Sequence, residues 1–127
     1  MTHDSIDSPA ILAEVTAAFY RYEQALISND IATLDALFWE DSRTVRYGAT
    51  ENLYGIDAIR DFRNGRSAQG LDRLLRNTTI TVFGDSTAVA STEFTRENSS
   101  RVGRQMQTWV KFACGWQIAA AHVSLMD

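Results

Sequence analysis

Apolar positions recur at helical spacing early in the chain. Ile11, Val15, Phe19, Tyr22 and Leu26 share one face over about 18 residues, and Pro9 behind Ser8 marks the helix start, with Ser8 as the candidate N-cap. After a break at "SND", Asp30 reads as an N-cap, and Ile31, Leu34, Leu37 and Phe38 form a second apolar face. "RTVRYG" reads as a short strand and "ENLYG" as a turn or short edge strand. A third helix follows over "IDAIRDFRNGR", with Ile56, Ile59 and Phe62 inward and Gly65 at its end. The pattern then changes to four β-like runs, "LDRLLRNTTITVFG", "STAVASTEFTRE", "SRVGRQMQTWVKFAC" and "GWQIAAAHVSLM". Gly-Asp-Ser, Asn-Ser-Ser and Cys-Gly separate them, all turn chemistry. Three helices, a small strand between the second and third, and four long strands make an α+β order: helices packed on one face of a curved antiparallel sheet. The open end of such a sheet is a natural place for a ligand.

Composition narrows the function classes. The 127 residues suit one domain spanning 1–127, with residues 1–9 as a flexible tail, and 45% hydrophobic content supports a single core. A net charge of −4 without a basic stripe argues against a general nucleic-acid or membrane-surface binder. No apolar stretch reaches the length of a membrane span. "MTHDSIDSPAI" lacks the basic segment and apolar run of a signal peptide, so the expected location is cytoplasmic. The one cysteine, Cys114, offers neither a disulfide nor a cysteine-paired metal site. His3 falls in the tail, which leaves His122 as the structured histidine and makes a histidine metal site unexpected. Nucleophile-elbow, P-loop and dinucleotide signatures are missing. The expectation is therefore chemistry by Tyr, Arg, His, Asp or Glu, with no cofactor and no metal.

The cations are lopsided, eleven Arg against one Lys, Lys111. Genomic base composition can produce that bias; so can recognition of planar carboxylates, which a guanidinium grips with paired donors. Six residues merit a closer look. Tyr22 shares the inward face of the first helix, either as a core tyrosine bonded to the backbone or as a hydroxyl aimed into a pocket. Arg46 alternates with Val45 and Tyr47 on the short strand. It is either in a salt bridge, with Glu23 or Glu93, or held for an anionic ligand, because unpaired burial is costly. Arg63 lies near the apolar face of the third helix and either covers it with its stem or reaches the pocket. His122 shares a strand face with Trp116, Ile118, Ala120 and Ser124 by strict alternation, as a core histidine or a pocket residue. Gln105 and Gln107 share a face with Trp109, exposed or pocket-lining.

The order of elements and the ending "TWVKFACGWQIAAAHVS" resemble the cone-shaped nuclear transport factor 2-like, or SnoaL-like, fold. More specifically, "RYEQALISND", "LFWEDSRTVRYGATENLYG", "FRNGR", "GRQMQTWVKF" and "AAHVSLM" resemble the AtzH/HpxZ-like family, over nearly the whole chain from about residue 10. That resemblance implies a bacterial protein working beside an amidase in cyanuric acid (s-triazine) or oxalurate catabolism. In the cyanuric acid branch it implies decarboxylation of 1,3-dicarboxyurea to allophanate. The family's catalytic pair matches Tyr22 in "FYRYEQAL" and Arg46 in "RTVRYG". Arg63, Gln107 and His122 are the expected further substrate contacts. The implied partners are a small ureido carboxylate and a second copy in a homodimer formed through the exposed sheet face. A noncatalytic accessory of an amidase is the alternative reading. A cone-fold isomerase or hydratase would need an inward carboxylate such as Asp35 or Glu93.

Overall fold

The computed structural model describes residues 5–127. His3 and the start of the expected tail lie outside the described residues. Residues 5–7 are tied to the sheet: Ile6 bridges Phe83, Asp7 N–H donates to the Val82 carbonyl at 3.0 Å, and Gly84 N–H donates to the Ser5 carbonyl at 2.9 Å.

The elements are α1 (Pro9–Ile27), α2 (Ile31–Ala36), β1 (Val45–Tyr47), β2 (Asn52–Tyr54), α3 (Ile56–Gly65), β3 (Leu74–Phe83), β4 (Thr87–Thr95), β5 (Gly103–Phe112) and β6 (Gly115–Leu125). The α+β order is as expected, but one long helix dominates it, in place of three helices layered together on the sheet. α1 has 19 residues, α2 only 6 and α3 10. α2 is short because the chain is drawn into the sheet immediately after it. Ile118 N–H donates to the Leu37 carbonyl at 2.8 Å, and Trp39 N–H donates to the Ile118 carbonyl at 2.9 Å. Asp30 caps α2 as expected, accepting from Thr33 N–H at 3.2 Å. Ser8 occupies the N-cap position of α1 without a side-chain capping bond among the described residues, and Pro9 stands at its start.

The six strands form one sheet in the order β2-β1-β6-β5-β4-β3. It is mixed, not purely antiparallel: β1 runs parallel to β6, with Arg46 opposite Ala121. α1 lays Val15, Phe19, Tyr22, Ala25 and Leu26 against the inward side chains Val82, Ala88, Ala90, Trp109 and Ile118. Two single-residue irregularities bend the sheet, one in β3 between Arg76 and Thr79, the other in β6 opposite the Thr108–Trp109 step. In the second, Thr108 pairs with Ala120 while Trp109 pairs with Ile118, so Ala119 is the extra residue. Side chains before and after it therefore change faces. Gly55, at φ 87°, opens α3 with a backbone shape that a side chain would strain.

Candidate functional site

Three structural units converge on one cavity of about 180 Å³. α1 supplies Tyr22 and Leu26; β1 and its turn supply Arg46 and Glu51; α3 and the segment after it supply Phe62, Arg66, Leu71 and Arg73. The far wall is Phe94, Arg96, Gln105 and Val123. The volume lies below the range of drug-sized pockets and suits a small molecule.

Tyr22 is 5% exposed, with its ring edge-on to Phe38 at 6.0 Å between centroids. Among the described residues its hydroxyl makes no hydrogen bond. Arg46 reaches the same cavity from the short strand, because parallel pairing places it opposite the inward Ala121. Its guanidinium lies 5.4 Å from the Phe62 ring centroid, and Nη1 is 3.5 Å from Glu51 Oε2. The carboxylate beside Arg46 is thus Glu51, at the limit of hydrogen-bonding distance. Glu23 and Glu93, the partners suggested by sequence, are engaged elsewhere. Glu93 pairs with the exposed Arg76 at 3.3 Å.

Glu23 grips Arg73, which donates from Nε at 2.8 Å and from Nη2 at 2.6 Å. Arg73 Nη2 also donates to Gln105 Oε1 at 3.0 Å, and its guanidinium sits 4.5 Å from the Phe94 ring centroid. Arg96 approaches the same ring at 4.9 Å and donates to the Gly70 carbonyl at 3.1 Å. A larger hollow of about 480 Å³ shares Arg73 and Arg96 with the cavity and is otherwise lined by Ile27, Asp72, Leu74, Thr95 and Glu97.

Arg66 is the unusual member. Its Nε and Nη2 are buried with no hydrogen-bond partner among the described residues, as is Gln105 Nε2. Burial lowers the pKa of Arg66, Tyr22 opposes that shift, and the nearby guanidiniums of Arg63, Arg46 and Arg96 reinforce it. Burial, then Arg73, lowers that of Arg96. Four guanidiniums face two carboxylates, Glu51 on the lining and Glu23 behind Arg73, so the cavity attracts anions.

The other three expected contacts lie elsewhere. Arg63 is buried at 4% exposure, donating to Asp35 at 2.6 Å and standing over the Phe38 ring at 5.0 Å. Its position on α3 turns it toward α2, and Asp35, a possible base by sequence, is the carboxylate that neutralises it. Gln107 does point inward, but as core: it is 1% exposed and accepts from Trp109 Nε1 at 3.0 Å. Its neighbour two positions earlier, Gln105, is the glutamine on the cavity. His122 is exposed on the opposite face of the sheet, 5.7 Å from the Tyr47 ring. The extra residue at Ala119 reverses the alternation that had grouped it with Trp116 and Ile118. Phe19, Trp109 and Ile118 are fully buried core.

Sequence reasoning missed Arg66, Arg73, Arg96 and Glu51. The excess of arginine over lysine was the available signal. No group of three or more His, Cys, Asp or Glu side chains among the described residues could hold a metal.

The AtzH-like family model matches residues 4–127. The chain belongs to the AtzH-like family. Its likeness to solved structures is extensive. A protein of unknown function from the DUF3225 family of Pectobacterium atrosepticum SCRI1043 is 64% identical, with 100% of this chain and 99% of that one covered and a TM-score of 0.99. A cystatin-like fold protein from Burkholderia xenovorans LB400 is 47% identical over 95% of both chains, with a TM-score of 0.92. An NTF2-like protein of unknown function from Pseudomonas putida KT2440 is 19% identical, covering 92% of this chain and 87% of that one, with a TM-score of 0.76. At that identity the likeness shows the fold alone: this AtzH-like chain has the nuclear transport factor 2-like, cystatin-like architecture. No curated protein matches it. No helix among the described residues is long and apolar enough to cross a membrane.

Proposed function

We propose that this AtzH-like protein decarboxylates 1,3-dicarboxyurea to allophanate without a cofactor, in bacterial cyanuric acid catabolism. The observation that carries this reading is the meeting of Tyr22 and Arg46 on one small, cationic cavity, with no hydrogen bond among the described residues occupying the Tyr22 hydroxyl. Family membership is consistent with this substrate class, and the cavity offers a chemistry that fits it.

The reaction breaks one N–C bond. The bonding pair stays on nitrogen, carbon dioxide departs, and a proton must reach that nitrogen. Tyr22 delivers the proton as general acid and recovers it from water afterwards. Arg46 holds a part of the substrate that is retained, the urea carbonyl or the remaining carboxylate. A grip on the departing carboxylate would stabilise the ground state and oppose the loss of a neutral molecule. Leu26, Phe62, Leu71 and Val123 form the apolar wall where the departing carboxylate is least solvated. The outer sheet face carries Tyr47, Met106 and His122, with Met106 55% exposed, and is where the expected homodimer would form.

The test is direct. Purified protein is given freshly made 1,3-dicarboxyurea, and carbon dioxide and allophanate are followed against a buffer control. The expected result is enzyme-dependent release of one carbon dioxide per allophanate. Release at the buffer rate, with the protein folded and in excess, would overturn the reading.

A further inference from the structure

The clearest unmet demand in the molecule is at Arg66. Its Nε and Nη2 lie on the edge of the guanidinium that forms paired bonds with a carboxylate. This chain uses that edge twice elsewhere. Arg73 holds both oxygens of Glu23 with it, at 2.8 and 2.6 Å, and Arg43 holds both oxygens of Asp41, at 2.9 and 3.1 Å. In Arg66 the same two nitrogens are buried and empty, and the residue lines the cavity.

Among the described residues no carboxylate on the cavity is free to meet it. Both oxygens of Glu23 are taken by Arg73. Glu51 Oε1 accepts from the Thr50 hydroxyl at 2.9 Å, and Oε2 faces Arg46. The surroundings make the position worse, since Arg46, Arg63 and Arg96 act on Arg66 with the same sign of charge. A buried cationic donor without a partner is costly, so an arrangement that keeps one beside a cavity implies a partner that arrives from outside.

We propose that Arg66 is the principal carboxylate clamp of the cavity, taking both oxygens of a ligand carboxylate on its Nε and Nη2 edge, with Gln105 Nε2 as a further donor to the same ligand. The clamp stands on this geometry alone. Which carboxylate it takes rests on the decarboxylase reading: a two-point grip belongs on the carboxylate that is retained, which leaves Arg46 to polarise the urea carbonyl.

Glutarate is the probe. It spaces two carboxylates as 1,3-dicarboxyurea does but carries no N-carboxylate to lose. Calorimetric titration compares the wild-type protein with R66Q and R66K, each checked for folding by circular dichroism. Wild type is expected to bind, and R66Q to weaken binding by about 10- to 100-fold, the range for a hydrogen-bonded charge. R66K is expected to fall in between, because lysine keeps the charge but not the paired edge. A crystal of the complex should show one carboxylate on Nε and Nη2. Wild-type protein that binds no glutarate, R66Q that binds it unchanged, or a carboxylate seated on Arg46 alone would overturn the clamp. If R66Q fails to fold, R66K decides, and affinity equal to wild type refutes the proposal. Failure of the two readings is separable. Arg66-dependent glutarate binding without carbon dioxide release removes the decarboxylase and leaves the clamp. Decarboxylation by R66Q with unchanged KM removes the clamp and leaves the decarboxylase.

Discussion

Replacing Tyr22 by phenylalanine removes one oxygen from the cavity and nothing else. The ring stays, packed edge-on to Phe38, and the side chain is 5% exposed, so its packing is retained. The hydroxyl makes no hydrogen bond among the described residues, so no buried partner is orphaned. On these grounds Tyr22→Phe should change folding stability by less than about 1 kcal/mol, the size of one net hydrogen bond. Turnover should behave differently. A positioned general acid contributes about 10²- to 10⁴-fold, which at 1.36 kcal/mol per decade is about 3–5 kcal/mol of barrier. The anchoring arginines are untouched, so KM should stay within a few-fold. The assay is initial-rate carbon dioxide release at saturating and limiting substrate, with urea denaturation on the same preparation. A kcat within about threefold of wild type, far short of the 10²-fold minimum, would refute the role of Tyr22 as acid. A parallel fall in kcat and stability would refute the claim that the substitution is local.

Four further substitutions test how the surrounding structure is built. Glu23→Gln leaves the Arg73 guanidinium, 2% exposed, without its counter-charge; stability measured in urea should fall by about 3–5 kcal/mol. Arg63→Met should cost about 1.5–3 kcal/mol through the lost bond to Asp35, while His122→Ala should be near neutral for stability. Neither should move KM by more than about twofold, since neither residue lines the cavity. A Cβ at Gly103 would collide with the Phe94 ring. Gly103→Ala should therefore cost about 1–3 kcal/mol and raise KM, because Phe94 carries Arg73 and Arg96 on its ring.

The helices and strands were legible where side-chain period alone decides them. α1 was readable from Val15, Phe19, Tyr22 and Leu26, all buried in the fold, and β5 from Gln105, Gln107 and Trp109 on one face. Period two fails wherever one extra residue enters a strand, because every later side chain then changes sides. "AAAH" gives no warning of this: three alanines fit either face, and the extra Ala119 looks like its neighbours. His122 was therefore assigned to the wrong face, although nothing about the residue itself was misread. The parallel pairing of β1 with β6 was hidden for a related reason. A three-residue strand carries too little pattern to announce its partner, and long-range hydrogen bonds leave no local trace.

The site was legible in its chemistry before its membership. Tyr22 and Arg46 sit on elements whose facing can be worked out from period, and both line the cavity. Arg66 follows the last residue of α3, Arg96 follows β4, and Arg73 precedes β3. At such positions alternation has ended and direction is set by the tertiary path. An arginine there reads as a solvated flank. What distinguishes these three is a question of pairing: how many guanidiniums near the cavity have a carboxylate of their own. Arg73 has Glu23, and Arg46 has a long contact to Glu51. Among the described residues Arg96 has only a carbonyl, and the paired edge of Arg66 has nothing. The excess of guanidinium over carboxylate is local to the cavity in a chain whose net charge is −4. An acidic protein that concentrates unmatched arginines around one hollow admits small anions there and repels them over the rest of its surface. This gives the lopsided use of arginine a structural role at the positions where the guanidinium edge, and not simply a positive charge, is needed.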